Sequence, residues 1–497
     1  GMVFGKLRSQ NASFQPGGLR AAPAPGQPGA LPTANPLEDT VPFFPGLHDP
    51  LKIVAGRDAD FQPLRAQSSI GASPSLRVPA VGICRLEVAF PAHSLELATH
   101  VSENAASRLM QKSVSVWDVD EDAVSLALTA LARLLNKLPP EVRNRIGRLE
   151  VGTESNVDFA KSIKSYLTDL LPGQPELLGV DNVNACYGGA AALMNTCDWL
   201  RATAALDQEE GVEDCEAMEA RRFGVVVSTD TAIMDEAEIG FMGAGAVAVL
   251  VGYNPAIEIL PSPVAEMKST LDFLKPKVHD HNVLTPRMRS RESMDHYLAA
   301  LDAVTHKTAE RFPGWSLPEV QGCVLHGGLC KSVVVKAMNH WYKNSGATAQ
   351  MGRAALLAKY EPGTKHGELL GGLYTASLFF GIHSAVEHGK IETGDRLLLF
   401  AYGSGSTATL LRALVHRQLD DFEPIAPRLA ARVPVDMAAT TAALQRHRAE
   451  GLFEGLGKTV QDARENGLPQ GQTKEEPGRY RLVERTPQGE RKYEVDS

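Results

Sequence analysis

Residues 177–206 read LLGVDNVNACYGGAAALMNTCDWLRATAAL. Residues 177–185 are mostly apolar and predict a short strand, and the alanine-rich run that begins at Ala191 predicts a helix. Between them, NACYGG (184–189) places Cys186 at a strand-to-helix turn. A strand, a turn and a helix in this order form the unit from which α/β folds are built.

The same alternation continues through most of the chain. Further strands are predicted at 80–90, 146–153, 223–229, 244–252, 320–325 and 396–402. These segments are apolar at most positions, which is typical of a sheet covered on both faces. Residues 157–171 have apolar side chains at helical spacing and are followed by Pro172 and Gly173, so they predict a helix. Two halves, about 79–252 and 318–415, each show the alternation, which predicts a duplicated, layered α/β domain.

Composition excludes several classes of protein. The chain has 497 residues, 43% of them hydrophobic, which is enough for a large core. A net charge of −9 without a basic stripe argues against nucleic-acid binding, and no run approaches the ~18 apolar residues of a membrane helix. The cysteines are scattered and form no Cys-x-x-Cys pair, so we predict no disulfide framework, no metal site and a reducing, cytoplasmic location.

Residues 1–78 are rich in proline, alanine and glycine and read as an N-terminal extension of a catalytic domain at 79–497. The extension has no acidic residue before Glu38 but contains Lys6, Arg8 and Arg20. That composition resembles a transit peptide, so a plastid or mitochondrion is the alternative location. Its many prolines favour a disordered segment instead.

We interpret two further segments as structural parts of the domain without a role in the chemistry. Residues 207–219 carry seven acidic side chains, which favours a solvated surface over a docking site. Residues 479–495 predict a β-hairpin around a turn at Pro487, Gln488 and Gly489, which would close the domain.

Three residues at predicted strand ends are candidates for chemistry. Cys186 precedes a helix whose dipole would lower the pKa of the thiol, and Gly188 and Gly189 would let a ligand approach the backbone. Glu154 follows the strand in LEVGTES, and His326 follows VQGCVL. Each also has an ordinary interpretation, as a buried thiol, a helix-end acid and a structural histidine. The glycine-rich turn YGSGS (402–406) follows another strand, and its N–H groups are suited to a thioester oxygen.

These segments together resemble the hydroxymethylglutaryl-CoA synthase family, which includes polyketide β-branching relatives, over residues from about 79 to 497. The matching stretches occur in the family's order and are DEDAVSLAL (120–128), IGRLEVGTES (146–155), NACYGG, GAGAVAVLVG (243–252), LDFLKP (271–276), YLAALD (297–302), HGGLCK (326–331), YTASL (374–378), FAYGSG (400–405) and GRYRLVERTPQGERKYE (478–494). The resemblance implies a thiolase-like αβαβα fold, a C-terminal β-hairpin and a homodimer.

The resemblance also implies roles for individual residues. Cys186 would accept acetyl from acetyl-CoA, Glu154 would deprotonate the acetyl methyl group, and His326 would protonate the ketone oxygen of the second substrate. Acetyl-CoA is a substrate, and no cofactor is implied. The other implied positions are Ser404 (backbone, with that of Cys186, as the oxyanion hole), Asp230 and Asp272 (support), and Lys331, Tyr187 and Gly372 (substrate binding, with Lys331 near the CoA phosphates).

The sequence departs from the family pattern near the acceptor pocket. Gly328 replaces a proline two residues after the histidine, Gly372 replaces an asparagine, and the region around Gly240 and Phe241 lacks a proline–threonine pair. We interpret Gly372 as the loss of a hydrogen bond to the acceptor and as an opening of space for a bulkier β-keto chain.

Three functions remain open at this point. The first is condensation of acetyl-CoA with acetoacetyl-CoA. The second is the same addition on a β-keto group tethered to an acyl carrier protein, as in polyketide β-branching. The third is a non-catalytic protein that binds acyl-CoA or carriers, which the presence of Cys186, Glu154 and His326 disfavours.

Overall fold

The computed structural model describes residues 79–100, 103–174, 176–209, 222–275, 285–450, 460, 467–468, 478–486 and 490–496. The extension 1–78, most of the acidic stretch 207–219 and the turn at 487–489 lie outside these residues. The predictions for those three segments stay predictions.

The strands have the following bounds: β1 Val81–Ala89, β2 His93–Glu96, β3 Ser113–Val116, β4 Ile146–Gly152, β5 Asp181–Asn182, β6 Phe223–Ala232, β7 Gly243–Tyr253, β8 Ile257–Ile259, β9 Val264–Met267, β10 Phe273–Leu274, β11 Arg287–Met288, β12 Gly322–Leu325, β13 Arg396–Gly403, β14 Thr407–Val415, β15 Val433–Pro434, β16 Tyr480–Arg485 and β17 Arg491–Val495.

The α-helices are α1 Leu97–His100, α2 Glu103–Leu109, α3 Ala123–Asn136, α4 Pro140–Arg143, α5 Ile163–Leu167, α6 Gly188–Glu209, α7 Ser290–Arg311, α8 Lys331–Asn344, α9 Arg353–Tyr360, α10 Gly367–Leu370, α11 Ser377–His388, α12 Ala426–Ala430 and α13 Met437–Glu450. Short 3₁₀ turns occur at Thr168–Leu170, Glu236–Phe241, Ala347–Ala349, Glu361–Thr364 and Tyr374–Ala376. None of these helices is both long and apolar enough to cross a membrane.

The main sheet consists of two halves. The strand order is β12-β13-β14-β8-β1-β7-β6-β4-β5, with β9 also paired to β14. In the first half β4 runs parallel to β5 and β6, and in the second half β12 runs parallel to β13. The short strand β8 pairs with both β1 and β14 and thereby links the halves.

Helices cover the faces of both halves and produce five layers. On β13, Leu397 and Leu399 belong to the central core, whereas Leu398 and Phe400 belong to the outer core under α7 and α8. The central core also contains Leu193 of α6, which packs between the two halves of the sheet, and side chains of α11. Because alternate side chains of a strand point to opposite faces, strands covered on both sides are apolar at every position. The predicted αβαβα fold is confirmed.

Two predicted elements are shorter than expected. The predicted helix at 157–171 begins only at Ile163, since the carboxylate of Asp158 accepts hydrogen bonds from the backbone N–H groups of Ala160 and Lys161 and holds a local turn. The strand predicted at 177–185 is reduced to β5. The strands of the C-terminal hairpin, β16 and β17, form as predicted and pair antiparallel.

Candidate active site

The site lies at the carboxyl ends of parallel strands in the two halves. Glu154 follows β4, Cys186 lies between β5 and α6, His326 follows β12 and Ser404 follows β13. Loops at these ends converge in α/β sheets, which is why strand-end residues are suited to form a site.

Close packing of two glycines brings Cys186 to Glu154. A Cβ atom on Gly152, at the end of β4, would lie 2.4 Å from the Cα atom of Gly189 in the first turn of α6. The helix therefore begins directly against the strand. As a result, Sγ of Cys186 lies 2.7 Å from Oε1 of Glu154, in hydrogen-bond contact.

The Glu154 carboxylate changes the expected chemistry of the thiol. Burial, followed by the charge and hydrogen bond of Glu154, raises the pKa of Cys186 well above its ordinary value. Our prediction that the helix dipole lowers this pKa was therefore wrong, because an anion 2.7 Å away and desolvation both oppose a thiolate. The resting thiol is protonated, and Glu154 accepts its hydrogen bond.

Asp230 organises the loop that carries Glu154. Its Oδ1 accepts hydrogen bonds from the Glu154 N–H (2.8 Å), the Ser155 hydroxyl (2.8 Å) and the Thr153 hydroxyl (3.1 Å). Its Oδ2 accepts the N–H of Thr375 at 2.8 Å and also the hydroxyl of that residue. Burial and the nearby Glu154 charge raise the pKa of Asp230 to about 6. Asp230 thus joins the β4 loop to the segment before α11.

Lys275 is a site residue that our sequence analysis missed, although it lies within the matched stretch LDFLKP. Its Nζ lies 3.3 Å from Oε2 of Glu154 and 3.9 Å from the centre of the Tyr374 ring. The ammonium group therefore balances the largely buried Glu154 carboxylate. A lysine next to an apolar strand end was the available signal, but such lysines are common on surfaces.

His326 is buried and neutral. Its side chain is 5% exposed, and burial lowers its pKa to about 3. Nδ1 lies 2.6 Å from the hydroxyl oxygen of Ser377, the first residue of α11, and the Tyr297 hydroxyl donates to the backbone carbonyl of His326 at 2.7 Å. When Ser377 donates to Nδ1, Nε2 carries the proton and becomes a hydrogen-bond donor.

Gly328 packs against the ring of His326. Its φ is +57°, a left-handed conformation that the proline of the family pattern cannot adopt. A Cβ atom there would lie 2.8 Å from Nε2 of His326. The glycine therefore gives this loop a path that brings its backbone next to the histidine.

A cavity of about 240 Å³ lies beside the reactive thiol and the histidine. Cys186, His326 and Ser404 line it, together with apolar and aromatic side chains and two cations. The lining also includes Phe241, Leu329, Tyr374, Arg108 and Lys336. A small cavity of mixed apolar and polar lining suits an acyl group and the end of its carrier.

The backbones at Cys186 and Ser404 are brought together by Gly403. A Cβ atom on Gly403 would lie 2.9 Å from the backbone nitrogen of Tyr187 and 2.8 Å from the carbonyl oxygen of Asn184. The YGSGS turn therefore abuts the backbone of the cysteine turn. Tyr187 itself donates or accepts a hydrogen bond with Thr409 and is not among the residues that line the cavity.

Lys331 lies beside carboxylates and outside the cavity that holds Cys186. Its ammonium group forms an ion pair with the buried Glu368 and lies 3.9 Å from Glu361. It borders a smaller, neighbouring pocket, whereas Lys336 and Arg108 line the cavity that holds Cys186. The role implied for Lys331 near the CoA phosphates stays a prediction.

Gly372 does not open the pocket. A Cβ atom there would lie 2.3 Å from the backbone oxygen of Phe241 and 3.4 Å from a methyl group of Leu329, so the space is filled. Our interpretation of Gly372 as room for a longer acceptor was wrong, because the glycine allows two backbones to touch. Asp272 is buried and accepts a hydrogen bond from Thr270 at 2.6 Å, but it does not line the cavity.

Comparison with known proteins identifies the family. The N-terminal model of hydroxymethylglutaryl-coenzyme A synthases matches residues 77–256, and the C-terminal model matches residues 343–444. A hydroxymethylglutaryl-CoA synthase of Ganoderma lucidum is 31% identical over 402 residues, which cover 69% of this chain and 81% of that protein. The chain belongs to the hydroxymethylglutaryl-CoA synthase family.

Other relatives agree with this assignment. The mitochondrial hydroxymethylglutaryl-CoA synthase of Rattus norvegicus is 29% identical over 69% of this chain and 75% of its own length. The structure of PksG from Bacillus subtilis has a TM-score of 0.70 at 22% identity, and the curacin pathway HMG synthase has a TM-score of 0.68 at 22% identity. Both cover 84% of this chain and all of theirs, and they show the shared fold. This synthase is accordingly an acyltransferase that forms carbon–carbon bonds by hydroxymethylglutaryl-CoA synthase-type condensation.

Proposed function

We propose that Cys186 carries the acetyl group and that Glu154 and His326 perform the condensation. The observation that carries the proposal is the 2.7 Å contact between the thiol of Cys186 and the carboxylate of Glu154. His326 and Ser404 line the same cavity as Cys186. A non-catalytic binding protein would not need these groups in one place.

The first step transfers acetyl to Cys186. The sulfur attacks the thioester carbonyl of acetyl-CoA while the thiol proton passes to Glu154, and the CoA thiolate leaves as the tetrahedral intermediate collapses. The proton then leaves on CoA. The N–H groups of the adjoining backbones at Cys186 and Ser404 are the proposed donors to the oxyanion, which is the largest contribution expected in acyl transfer.

The second step forms the carbon–carbon bond. Glu154, again a carboxylate, removes a proton from the acetyl methyl group, and the resulting enolate carbon attacks the ketone of the β-keto thioester. His326 donates the Nε2 proton to the ketone oxygen and regains a proton from the protonated Glu154, and Ser377 holds its ring in the required tautomer. Water then hydrolyses the thioester bond to Cys186 and releases the product.

The acceptor that we propose is acetoacetyl-CoA. Arg108 and Lys336 line the cavity and supply positive charge for the phosphates of a CoA arm. A carrier-bound β-keto group is the second candidate, since a phosphopantetheine arm also has a phosphate. The curacin HMG synthase has been solved in complex with a donor acyl carrier protein, and MvaS with 3-hydroxy-3-methylglutaryl coenzyme A.

The acceptor is tested by mass spectrometry of the products. The enzyme is incubated with acetyl-CoA and either acetoacetyl-CoA or an acetoacetyl carrier protein at equal concentration. Faster formation of hydroxymethylglutaryl-CoA supports the first proposal, and faster growth of the carrier-bound product supports the second. Acetyl-Cys186 without product from either acceptor would contradict both.

We also propose that the chain forms a homodimer through the edge of the main sheet. Among the described strands, β5 pairs with β4 and ends the sheet. Nearby, Leu178, Val180, Val183 and Phe159 are large apolar side chains that are each more than half exposed. Such a patch on an edge strand suits a second copy of the same chain. Light scattering should give a dimer mass and Val180→Lys a lower one; a monomeric wild type at micromolar concentration would contradict this.

For the location we propose the cytoplasm, with an organelle as the alternative, since the rat relative is a mitochondrial protein. Fluorescent fusions of the full chain and of residues 79–497 test this. Organelle signal from the full chain that is lost in the shorter fusion would support the alternative.

A further inference from the structure

A buried cluster of two histidines and a glutamate lies at the far end of α11. His383 and Glu387 are four residues apart on α11 and therefore point to the same side of the helix. His366 joins them from the residue that precedes α10. His366 is 1% exposed, His383 is 2% exposed, and the Glu387 side chain is 6% exposed. We refer to these three residues as the His–His–Glu cluster.

The ligand atoms of the cluster have the spacing of a metal site. Nε2 of His366 lies 3.0 Å from Nδ1 of His383 and 3.2 Å from Oε2 of Glu387, and the latter two atoms are 3.7 Å apart. Bonds of about 2.0–2.1 Å to a tetrahedral metal separate ligand atoms by roughly 3.3–3.5 Å. The three distances bracket that value.

Hydrogen bonds do not explain all three close contacts within the His–His–Glu cluster. A neutral imidazole nitrogen donates one proton, so Nε2 of His366 can donate to His383 or to Glu387 but not fully to both. The remaining contact, 3.7 Å between His383 and Glu387, is too long for a hydrogen bond. A cation shared by the three atoms satisfies all of them.

Other contacts hold two of the three ligands in place. The carboxylate of Glu387 accepts hydrogen bonds from the backbone N–H groups of Ile425 and Ala426, both at 2.9 Å, at the start of α12. The ring of His383 packs on Phe422, with ring centres 4.6 Å apart. Partners outside the coordination sphere that fix ligand orientation are a general property of metal sites.

We propose that the His–His–Glu cluster binds one divalent transition-metal ion, with zinc as the expected occupant. Two imidazoles and one carboxylate suit zinc and the metals near it in the series, whereas magnesium and calcium prefer oxygen ligands. The burial of the cluster indicates a structural ion. It would tie α11 to the residue before α10 and, through Glu387, to the start of α12.

This site is separate from the catalytic cavity. None of its residues lines that cavity, and His383 and Glu387 lie roughly two to three helical turns after Ser377, which contacts His326. Metal at the cluster therefore affects stability first, and it is independent of the proposed function.

The experiment measures metal in the full, untagged chain. Elemental analysis by inductively coupled plasma mass spectrometry should find about one zinc per chain after purification. Removal with dipicolinate should lower the thermal midpoint, and added Zn²⁺ should restore it while Mg²⁺ should not. Co²⁺ added to the metal-free chain should give visible absorption bands of low-coordinate cobalt. A chain without zinc that shows neither a thermal shift with Zn²⁺ nor cobalt bands would overturn the proposal.

Variants locate the ion. His383→Gln and Glu387→Gln should each weaken Zn²⁺ binding by roughly tenfold or more. His306→Gln, which changes an exposed histidine on α7 that also has a glutamate four residues later, is the matched control and should retain the metal. Cys186→Ser tests whether the catalytic thiol binds it instead. Zinc retained in both cluster variants, or lost in Cys186→Ser alone, would contradict the assignment.

Discussion

The donor side of the site, around Glu154, and the acceptor side, around His326, are held in place by different kinds of contact. On the donor side, Asp230 fixes the Glu154 loop with three hydrogen bonds to one oxygen and reaches Thr375 with the other. On the acceptor side, His326 is held by Ser377 and by contact with the backbone of Gly328. The departures from the family pattern at Gly328 and Gly372 therefore lie where the glycine backbone, rather than a side chain, makes the contact. The carboxylate network admits less change, because each lost bond leaves a buried polar group unpaired.

The largest effect is expected at Cys186, the residue that carries the acetyl group from the first half-reaction to the second. Cys186→Ser should reduce overall condensation by roughly 10⁴-fold or more, since no covalent acetyl carrier remains. Product formation from acetyl-CoA and acetoacetyl-CoA measures it. Cys197→Ser, which changes a buried thiol on α6, is the matched control and should keep most of the activity. Activity in Cys186→Ser close to that of the control would contradict the assignment.

The next effect separates the two sides. Glu154→Gln and His326→Asn should each lower condensation by about 10²–10⁴-fold, because each removes a proton-transfer group. His326→Asn should leave acetylation of Cys186 at the wild-type rate. Single-turnover acetylation and condensation are measured separately. If His326→Asn slowed acetylation as much as condensation, the two sides would not be distinct.

A smaller effect is expected on the thiol itself. Glu154→Gln removes the anion beside Cys186, so the thiolate becomes easier to form and the pKa of the thiol falls. In wild type, alkylation of Cys186 by iodoacetamide should still be rising with pH above about 8.5, the ordinary thiol value. In Glu154→Gln the rise should shift to lower pH. An unchanged or higher midpoint in the variant would show that Glu154 does not control the thiol.

Supporting residues should give still smaller losses. Lys275→Met removes the ammonium group that balances Glu154, and we expect about a tenfold to hundredfold fall in condensation through misplacement of the base. Lys268→Met, an exposed lysine, is the control. Near wild-type activity of Lys275→Arg would indicate that the positive charge is what the site requires. Equal activity of Lys275→Met, Lys275→Arg and Lys268→Met would exclude a role for the charge.

The smallest effect tests the acceptor side. Gly372→Asn places a side chain against the Phe241 carbonyl oxygen, so it should destabilise the fold by about 1–3 kcal/mol without changing acceptor preference. Urea unfolding and competition between acetoacetyl-CoA and a longer β-keto thioester measure the two quantities. A gain in acetoacetyl-CoA preference with unchanged stability would restore our original interpretation of this glycine.

The sequence predicted the layers because they depend on local patterns, whereas the roles of the three reactive residues come from the family resemblance and stay a prediction. Apolar strands followed by glycine turns place Cys186, Glu154 and His326 at strand ends, and that placement is independent of distant contacts. The direction of the Cys186 pKa shift was not predictable, because it depends on the distance to Glu154, 32 residues away. The same is true of Lys331, whose partner Glu368 comes from another helix. Our interpretation of Gly372 was wrong for a similar reason. In the sequence a glycine looks like a missing side chain that leaves space, whereas in the fold its backbone lies against the backbone of Phe241 and no space remains.

The measurement that tests the central claim most directly is the location of the acetyl group. Wild type, Glu154→Gln and His326→Asn are each incubated with isotopically labelled acetyl-CoA alone, digested and analysed by peptide mass spectrometry. We predict labelled acetyl on the peptide that contains Cys186 in all three proteins, with slower labelling of Glu154→Gln because Glu154 accepts the thiol proton in the first step. In Glu154→Gln and His326→Asn the label should persist after acetoacetyl-CoA is added, whereas in wild type it should disappear into product. Label on Cys197 or Cys330 instead, or its equal disappearance in all three proteins, would contradict the division of roles.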